Sequence, residues 1–303
     1  MPPSPLRVHL ALLAVSILFG GTYVFSKRVL DAVGPAAWAM FRIVAASAVL
    51  VPIAIWLKKG RPWPERRLLL LLGIASLFGV VLNQVLFVEG LKRTTPAHSS
   101  VVNACIPIWT LLAAVIAGQE RLGPRRLGAI ALALGGVQYL LGLDRLLLGT
   151  TPDAADDGAT LLGDLLTMLN GWSFAIHLVF LRRIGRGLDS WLATAVMFLW
   201  AVLLIGAYGA PQATADDLDA VLTPPVLWCA LYVVLFATVL TYLLNPWALR
   251  HTHSSTVALY INVQPLVAVA LGTALGAPLP GHRFYVALAL VSAGLWLQTK
   301  ARD

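Results

Sequence analysis

The amino-acid sequence predicts an all-α integral membrane protein, ten transmembrane helices written as two inverted five-helix repeats. Three observations carry that expectation. The first is composition: of 303 residues, 59% are apolar and 12% are Asp, Glu, Lys or Arg, about half the roughly 25% charged residues of a soluble domain. With a mean hydropathy of +0.81, the chain cannot cover a water-facing surface, and the same figures exclude disorder. The second observation is a series of ten apolar runs, and the third is a similarity between the two halves of the chain.

A helix needs about 20 apolar residues to cross roughly 30 Å of hydrocarbon at 1.5 Å per residue. Runs of that kind occupy residues 8–28, 36–57, 68–90, 95–117, 124–143, 161–182, 190–209, 225–248, 254–276 and 283–299. The first is too long for a signal peptide and has no small-x-small cleavage site after it, so it is expected to stay as a helix. Turn and charge signals separate the runs: Lys58-Lys59-Gly60-Arg61-Pro62 after the second, Gly123-Pro124-Arg125-Arg126 before the fifth, Arg182-Arg183 after the sixth, and Pro278 to Pro280 before the tenth. None of the runs alternates polar and apolar residues, which excludes barrel strands. Cys105 and Cys229 both lie inside apolar runs and read as small buried hydrophobes. The ten spans leave too little chain in loops and tails for a separate folded domain, so function must lie within the bundle.

Topology follows from Lys and Arg, which short translocated loops avoid. With the N-terminus inside, the cytoplasmic segments carry Arg7, Lys58, Lys59, Arg61, Arg66, Arg67, Arg121, Arg125, Arg126, Arg182, Arg183, Arg186, Arg250, Lys300 and Arg302. The other side carries Lys27, Arg28, Lys92, Arg93, Arg145 and Arg283, and Arg42 lies within a span. Fifteen against six puts both termini in the cytoplasm of a multi-pass protein of the cytoplasmic (inner) membrane. The acidic loops around Asp153, Asp156, Asp157 and around Asp216, Asp217, Asp219 then face outward. Topology also explains the net charge of +8; no basic stripe with interleaved aromatics suggests nucleic acid.

At an offset of 158, spans three to five align with spans eight to ten. Phe78 falls on Phe236, Leu91 on Leu249, Thr94 on Thr252, Pro107 on Pro265, Gly118 on Gly276, Ala129 on Ala287, Leu132 on Leu290 and Gly136 on Gly294. Near an offset of 150, Gly21 falls on Gly171, bringing span one onto span six. The chain reads as residues 1–143, an external linker 144–160, and a second copy 161–303. Five spans are odd, so the second copy enters the membrane from the opposite side. Inverted repeats of this kind are typical of secondary transporters, whose substrate site lies near the midplane between halves.

The residues also resemble the EamA-type permeases of the drug/metabolite transporter superfamily. The resemblance is carried by Gly90-Leu91-Lys92-Arg93-Thr94-Thr95-Pro96-Ala97, Pro107, Gly118-Gln119-Glu120-Arg121-Leu122, and Gly128 to Gly136-Val137, with Phe41-Arg42, Gly20-Gly21 and Ser26-Lys27 also similar. It covers essentially the whole chain. It implies a ten-helix carrier, often an exporter, of amino acids, nucleosides, aromatic metabolites or xenobiotics. The sequence departs from that pattern at Pro278, where the first copy has Glu120, and at Glu89 and His98.

Polar groups in hydrocarbon need a partner or a wet cavity. Near the expected midplane lie Asn83, Gln84, Asn103, Trp172, His177, Tyr242, Asn245, Tyr260, Asn262 and Gln264. Several share a helix face: Asn170, Ser173 and His177; Thr238, Tyr242 and Asn245; Tyr260 and Gln264. Converging stripes of this kind suit a cavity wall, although hydrogen bonds between helices would use the same residues. His98 joins this set, as do Tyr23 and Trp109, which with Trp172 could stack on a substrate or simply pack. Pro107 and Pro265 each free a carbonyl four residues earlier and are expected kinks that could allow gating. Glu89, His98, Asp164 and His177 are the candidates for proton coupling, and Arg42 is expected to pair with Glu89. Glycines such as Gly20-Gly21, Gly128 and Gly135-Gly136 read as close-packing sites. No His-Glu-x-x-His, Gly-x-x-x-x-Gly-Lys or Cys-x-x-Cys occurs, so neither metal nor cofactor is expected, and the expected partners are a small-molecule substrate and the lipid bilayer. A membrane-embedded enzyme, a channel or a scaffold is the alternative. The scarcity of charge within the spans favours a neutral, zwitterionic or partly aromatic substrate.

Overall fold

The computed structural model describes residues 5–58, 60, 62–144, 158–184, 188–249, 251 and 260–300, and among these every regular element is a helix. In chain order they are α1 (Pro5–Ala32), α2 (Pro35–Leu57), α3 (Arg66–Arg93), α4 (Pro96–Ile116), α5 (Pro124–Leu140), α6 (Leu161–Ile184) and α7 (Ser190–Gly209). Then follow the short α8 (Ala215–Leu222), α9 (Pro224–Leu231, continuing through Tyr232–Leu240 and Thr241–Leu249), α10 (Val263–Ala274) and α11 (His282–Lys300). Of the residues singled out above, Lys59, Arg61, Arg145, Asp153, Asp156, Asp157, Arg186, Arg250, Thr252 and Arg302 lie outside the described residues. So do the side chains of Asn245 and Leu249.

Where the expected spans are described they are helical, residues 254–259 of the ninth lying outside the described residues, and seven helices, α1 to α4, α6, α7 and α9, are long and apolar enough to cross a membrane. The others fall short for identifiable reasons. α5 has 17 residues, α10 has 12, and α11 begins on His282-Arg283 and ends on Gln298-Thr299-Lys300. α5 and α11 are also rich in Ala and Gly, because they mate at close range. A Cβ on Gly136 would lie 3.0 Å from the Ala287 carbonyl oxygen, and one on Gly294 2.7 Å from that of Ala129. Lipid tails are as apolar as leucine, so helices in a bilayer associate through such close backbone approach rather than through expulsion of water. The outer surface is apolar accordingly, with Ile116, Leu203, Trp228 and Trp296 all exposed.

Local signals set the helix ends. Pro35 occupies the first turn of α2 after extended Gly34, whose N–H donates to Asp217 Oδ1 at 2.7 Å. Thr95 caps α4 by accepting from the His98 N–H, with Pro96 following it. Asp189 caps α7 through the Trp191 and Leu192 N–H groups, and Thr214 with Asp217 forms a capping box on α8. Gly118 after α4 and Gly276 after α10, one repeat offset apart, both take positive φ, 69° and 92°, which glycine alone adopts without steric cost.

The packing has a regular pattern. α2 lies against α7, α5 against α11 and α4 against α10, while α3 packs on α6, and α1 on α9 and α10. When α1 to α5 are matched in order with α6, α7, α9, α10 and α11, each of these contacts maps onto itself or onto another principal contact, such as α3 on α6 onto α9 on α1. One core joins α1, α2, α3, α7 and α9, and a second joins α4, α5, α6 and α11.

The bundle has two distinguishable ends. At the near end, α1 starts and α11 finishes. His9 Nδ1 lies 2.9 Å from the Tyr260 hydroxyl, Arg125 donates to the Lys300 carbonyl, and Glu120 is held by Arg126 and Arg182. At the far end, Arg283 grips Asp144 through two 2.8 Å bonds. Cys105 is buried and Cys229 half-buried, both as free thiols.

Candidate substrate cavity

Two spans are interrupted by π-helical turns, α3 at Leu77–Leu82 and α9 at Tyr232–Leu240. A π segment widens the helix and leaves carbonyls that the ordinary ladder would have used, and such bulges gather at functional sites. In α3 these groups are taken by α6: Ser173 donates to the Phe78 carbonyl at 2.7 Å, His177 Nδ1 lies 2.8 Å from the Ala75 carbonyl, and Asn170 donates to the Asn83 carbonyl at 2.6 Å. The ring of His177 fits because residue 79 is glycine; a Cβ there would lie 2.2 Å from Nδ1. In α9, the Thr238 hydroxyl donates to the Val233 carbonyl at 2.8 Å. Two further spans break outright. α4 turns at Cys105, with Pro107 in the first turn of its second segment, and Pro265 stands at the start of α10, just after Asn262.

These interruptions surround a cavity of about 750 Å³. Its mouth, at the near end, is edged by Leu12, Arg182, Leu188, Ser190, Thr194 and Tyr260, and its inner end by Tyr23, Arg42, Phe87, Asn103, Thr238 and Gln264. The walls respect the repeat offset of 158. Gly79 and Ala237, Val80 and Thr238, Asn83 and Thr241, Gln84 and Tyr242, Asn103 and Ile261, and Ile106 and Gln264 all line it in pairs. Arg42 is buried, with Nε and Nη2 donating to the Thr238 hydroxyl at 3.3 and 3.1 Å and the guanidinium 6.0 Å from the Phe87 ring centre.

The inner end is closed. The Tyr23 hydroxyl donates to Gln264 Oε1 at 3.4 Å, and its ring meets Phe87 edge-on at 5.8 Å. Beyond this layer, Lys27 donates to the carbonyls of Leu91, Lys92 and Thr94 at 2.9 to 3.0 Å, Lys92 to that of Leu30, and Arg28 to that of Leu275 at 2.8 Å. Between α4 and α6, His98 Nδ1 lies 2.8 Å from Asp164 Oδ2, and the Thr94 hydroxyl donates to Asp164 Oδ1. On the outer side of the layer is a second hollow of about 600 Å³, bordered by Val24, Lys27, Asp31, Thr95 and Gly272.

Of the sequence candidates, Tyr23, Asn83, Gln84, Asn103, His177, Tyr242, Tyr260 and Gln264 line the main cavity. His98 instead joins Asp164 in the far-end cluster. Trp109 and Trp172 face each other at 5.4 Å within the second core, and Asn262 accepts from Ser292 at 3.4 Å; none of the three is at the cavity wall. The expected Arg42–Glu89 pair does not form. Glu89 binds Arg93, its neighbour one turn on, and the Tyr208 hydroxyl at 3.3 Å, while Arg42 turns to α9. Sequence reasoning had no candidate role for Arg42 itself in the cavity, although a lone Arg within an apolar span was the available signal.

An apolar helical bundle enclosing a polar-ended cavity that is reached from one end defines a multi-pass membrane protein of the transporter class. The model of the EamA-like transporter family matches the chain twice, over residues 6–142 and 161–299, and the chain belongs to that family, whose members are transporters rather than enzymes. It is 24% identical to an uncharacterized transporter of Archaeoglobus fulgidus over 86% of both chains. It is 25% identical to the uncharacterized transporter YyaM of Bacillus subtilis, covering 90% of this chain and 88% of that one. A solved crystal structure shares the fold over 96% of both chains, with a TM-score of 0.59 at 21% identity.

Proposed function

We propose that this protein is a secondary carrier that exports a small metabolite across the cytoplasmic membrane by alternating access, using ten spans arranged as two inverted repeats, 1–143 and 161–303, joined by an external linker. The observation that carries the reading is a central cavity open at the near end and sealed from the hollow at the far end by one layer around Tyr23, Phe87 and Gln264. A channel in its conducting state would have no such layer. Three further features support the repeat: the double family match, the exchange pattern of helix contacts, and the paired lining residues on α3 with α9 and α4 with α10. The distribution of Lys and Arg argues for both termini in the cytoplasm, so that the described conformation faces inward, ready to load a substrate for export.

Tyr23, Arg42, Asn83, Gln84, Asn103, His177, Thr238, Tyr242 and Gln264 are then the substrate-contacting set. The breaks at Pro107 and Pro265 serve as hinges, and Glu89, Asp164 and His177 are the residues assigned to proton coupling, Asp164 beside His98 and Glu89 beside Tyr208 at the far end. The test is counterflow into liposomes containing the purified protein, with amino acids, nucleosides and aromatic metabolites, with and without a pH gradient. A carrier gives saturable, trans-stimulated movement of one class. Movement that never saturates would indicate a channel instead.

A further inference from the structure

The chemistry of the cavity wall narrows the substrate. Arg42 is the one cation at its inner end, and among the described residues no Asp or Glu lines the cavity. The Arg42 guanidinium is satisfied by a neutral hydroxyl and a ring face, so its charge is uncompensated in a low-dielectric interior, where a bare ion is costly and attracts a counter-ion. The other lining arginine, Arg182, stands exposed at the mouth and shares Glu120 with Arg126, so water and a carboxylate screen its charge.

Donors and acceptors are also unequal. An ammonium group needs a carboxylate or several free carbonyls, and the carbonyls opened by the π turns are occupied: those of Ala75, Phe78 and Asn83 by α6 and that of Val233 by Thr238. Gln264 Oε1 accepts from Tyr23. Two buried groups of the lining have no protein partner, the donor Gln84 Nε2 and the acceptor Asn103 Oδ1. The inner end therefore presents an Arg, an amide donor and one lone amide acceptor, which by itself falls short of what an ammonium group needs. Around them stand the rings of Phe19, Phe87, Phe174, Phe198 and Tyr242, which suit a flat apolar body.

We propose that the cavity takes a small aromatic organic anion without an ammonium group, its carboxylate on Arg42 and Gln84 and its ring between the phenylalanines. The inference rests on the carrier reading for its site and goes beyond it in naming the charge and shape of the substrate. Of the expected neutral, zwitterionic or partly aromatic substrate it keeps the aromatic part and adds a negative charge, because the arginine of α2, counted only as a charge along the sequence, faces the cavity.

The experiment measures binding and movement separately. Thermal unfolding of the purified full-length protein in detergent is followed with phenylacetate, benzenesulfonate, phenylalanine and phenethylamine as probes. Both anions raise the midpoint, while the zwitterion and the cation at equal concentration do not. Arg42→Gln lowers the apparent affinity for the anions about ten- to a hundredfold, the range for loss of a charged hydrogen bond. Arg42→Lys, which keeps the charge without the planar fork, falls in between. The unfolding midpoint without ligand reports whether each variant is folded, and the wild-type preference among the four probes stands even if Arg42→Gln does not fold. Counterflow of benzenesulfonate, permanently ionised and unable to leak as a neutral acid, then reports movement. If phenylalanine or phenethylamine binds and moves and the anions do not, or if Arg42→Gln folds and leaves anion binding unchanged, the inference is overturned while the carrier reading stands. Failure of the anions to bind at all overturns it as well. Anion binding with no movement of any probe would uphold the anion site and count against the carrier.

Discussion

Gly79 and His177 form a lock whose fit is set by one missing methyl group. With a Cβ only 2.2 Å from Nδ1, Gly79→Ala must push the imidazole off the Ala75 carbonyl and leave that group unpaired. We expect a loss of about 1–3 kcal/mol, the range for overpacking, in reversible unfolding in mixed detergent, together with weakened substrate binding, since both residues line the cavity. Asp217 makes a different point. The Gly34 N–H, with help from Thr214, holds its carboxyl below the usual carboxylate range. A depressed carboxyl contributes stability that is present above its unfolded value near pH 4 and is lost as pH falls through its folded value. The melting temperature of the wild type is therefore expected to fall more steeply on acidification below about pH 4 than that of Asp217→Asn; parallel curves would remove Asp217 as the cause. Asn83, Gln84 and Gln264, which stand out in the sequence because each interrupts an apolar run, lie in the cavity wall. The sequence could not distinguish cavity from packing for Trp109, Trp172 and Asn262, because an aromatic or amide looks the same in one dimension whichever helix face meets a neighbour. His98 illustrates the same limit: its partner Asp164 lies 66 residues away.

Among the elements, helix positions were legible because crossing hydrocarbon demands long apolar runs, and the described part of each run is helical. The π turns in α3 and α9 were not. A π bulge changes the local period by a single residue over one turn, and Leu77–Leu82, with sequence Leu-Phe-Gly-Val-Val-Leu, contains nothing that an α-helix would refuse. The breaks in α4 and α10 were half legible, since Pro107 and Pro265 announced a kink without showing that the chain would turn at Cys105 and just before Val263. The pairing of α5 with α11 rests on Gly136, one of the expected close-packing sites, and on Gly294, while Gly135, next to Gly136, faces open space. Gly136→Leu and Gly294→Leu, clashing with Ala287 and Ala129 respectively, are expected to destabilise by similar amounts, about 1–3 kcal/mol each. A large cost at one position and none at the other, measured by unfolding in mixed detergent, would contradict the equivalence of the two helices.

For the molecule as a whole, the sequence repeat, the exchange pattern of contacts and the paired cavity walls support the proposed carrier, in which two halves share a site and open it at either end in turn. The asymmetry of the described conformation then follows from which ends are tied. Lys27, Arg28 and the Thr94–Asp164–His98 cluster hold the far end together, while the near end leaves a mouth between α1, α6 and α7. What the sequence could not supply was this choice between ends, because both alternatives satisfy the same pattern of apolar runs and loop charges. The most direct measurement is the modification of Asn83→Cys by a membrane-impermeant maleimide, with Cys105→Ala and Cys229→Ala as background, in inside-out and right-side-out vesicles. It is made with and without a disulfide across the far end formed by Thr94→Cys and Asp164→Cys. Alternating access predicts modification from both sides in the unlinked protein, and from the cytoplasmic side alone once the disulfide forms. Modification from outside that persists through the closed disulfide, or that never occurs in the unlinked protein, would contradict it.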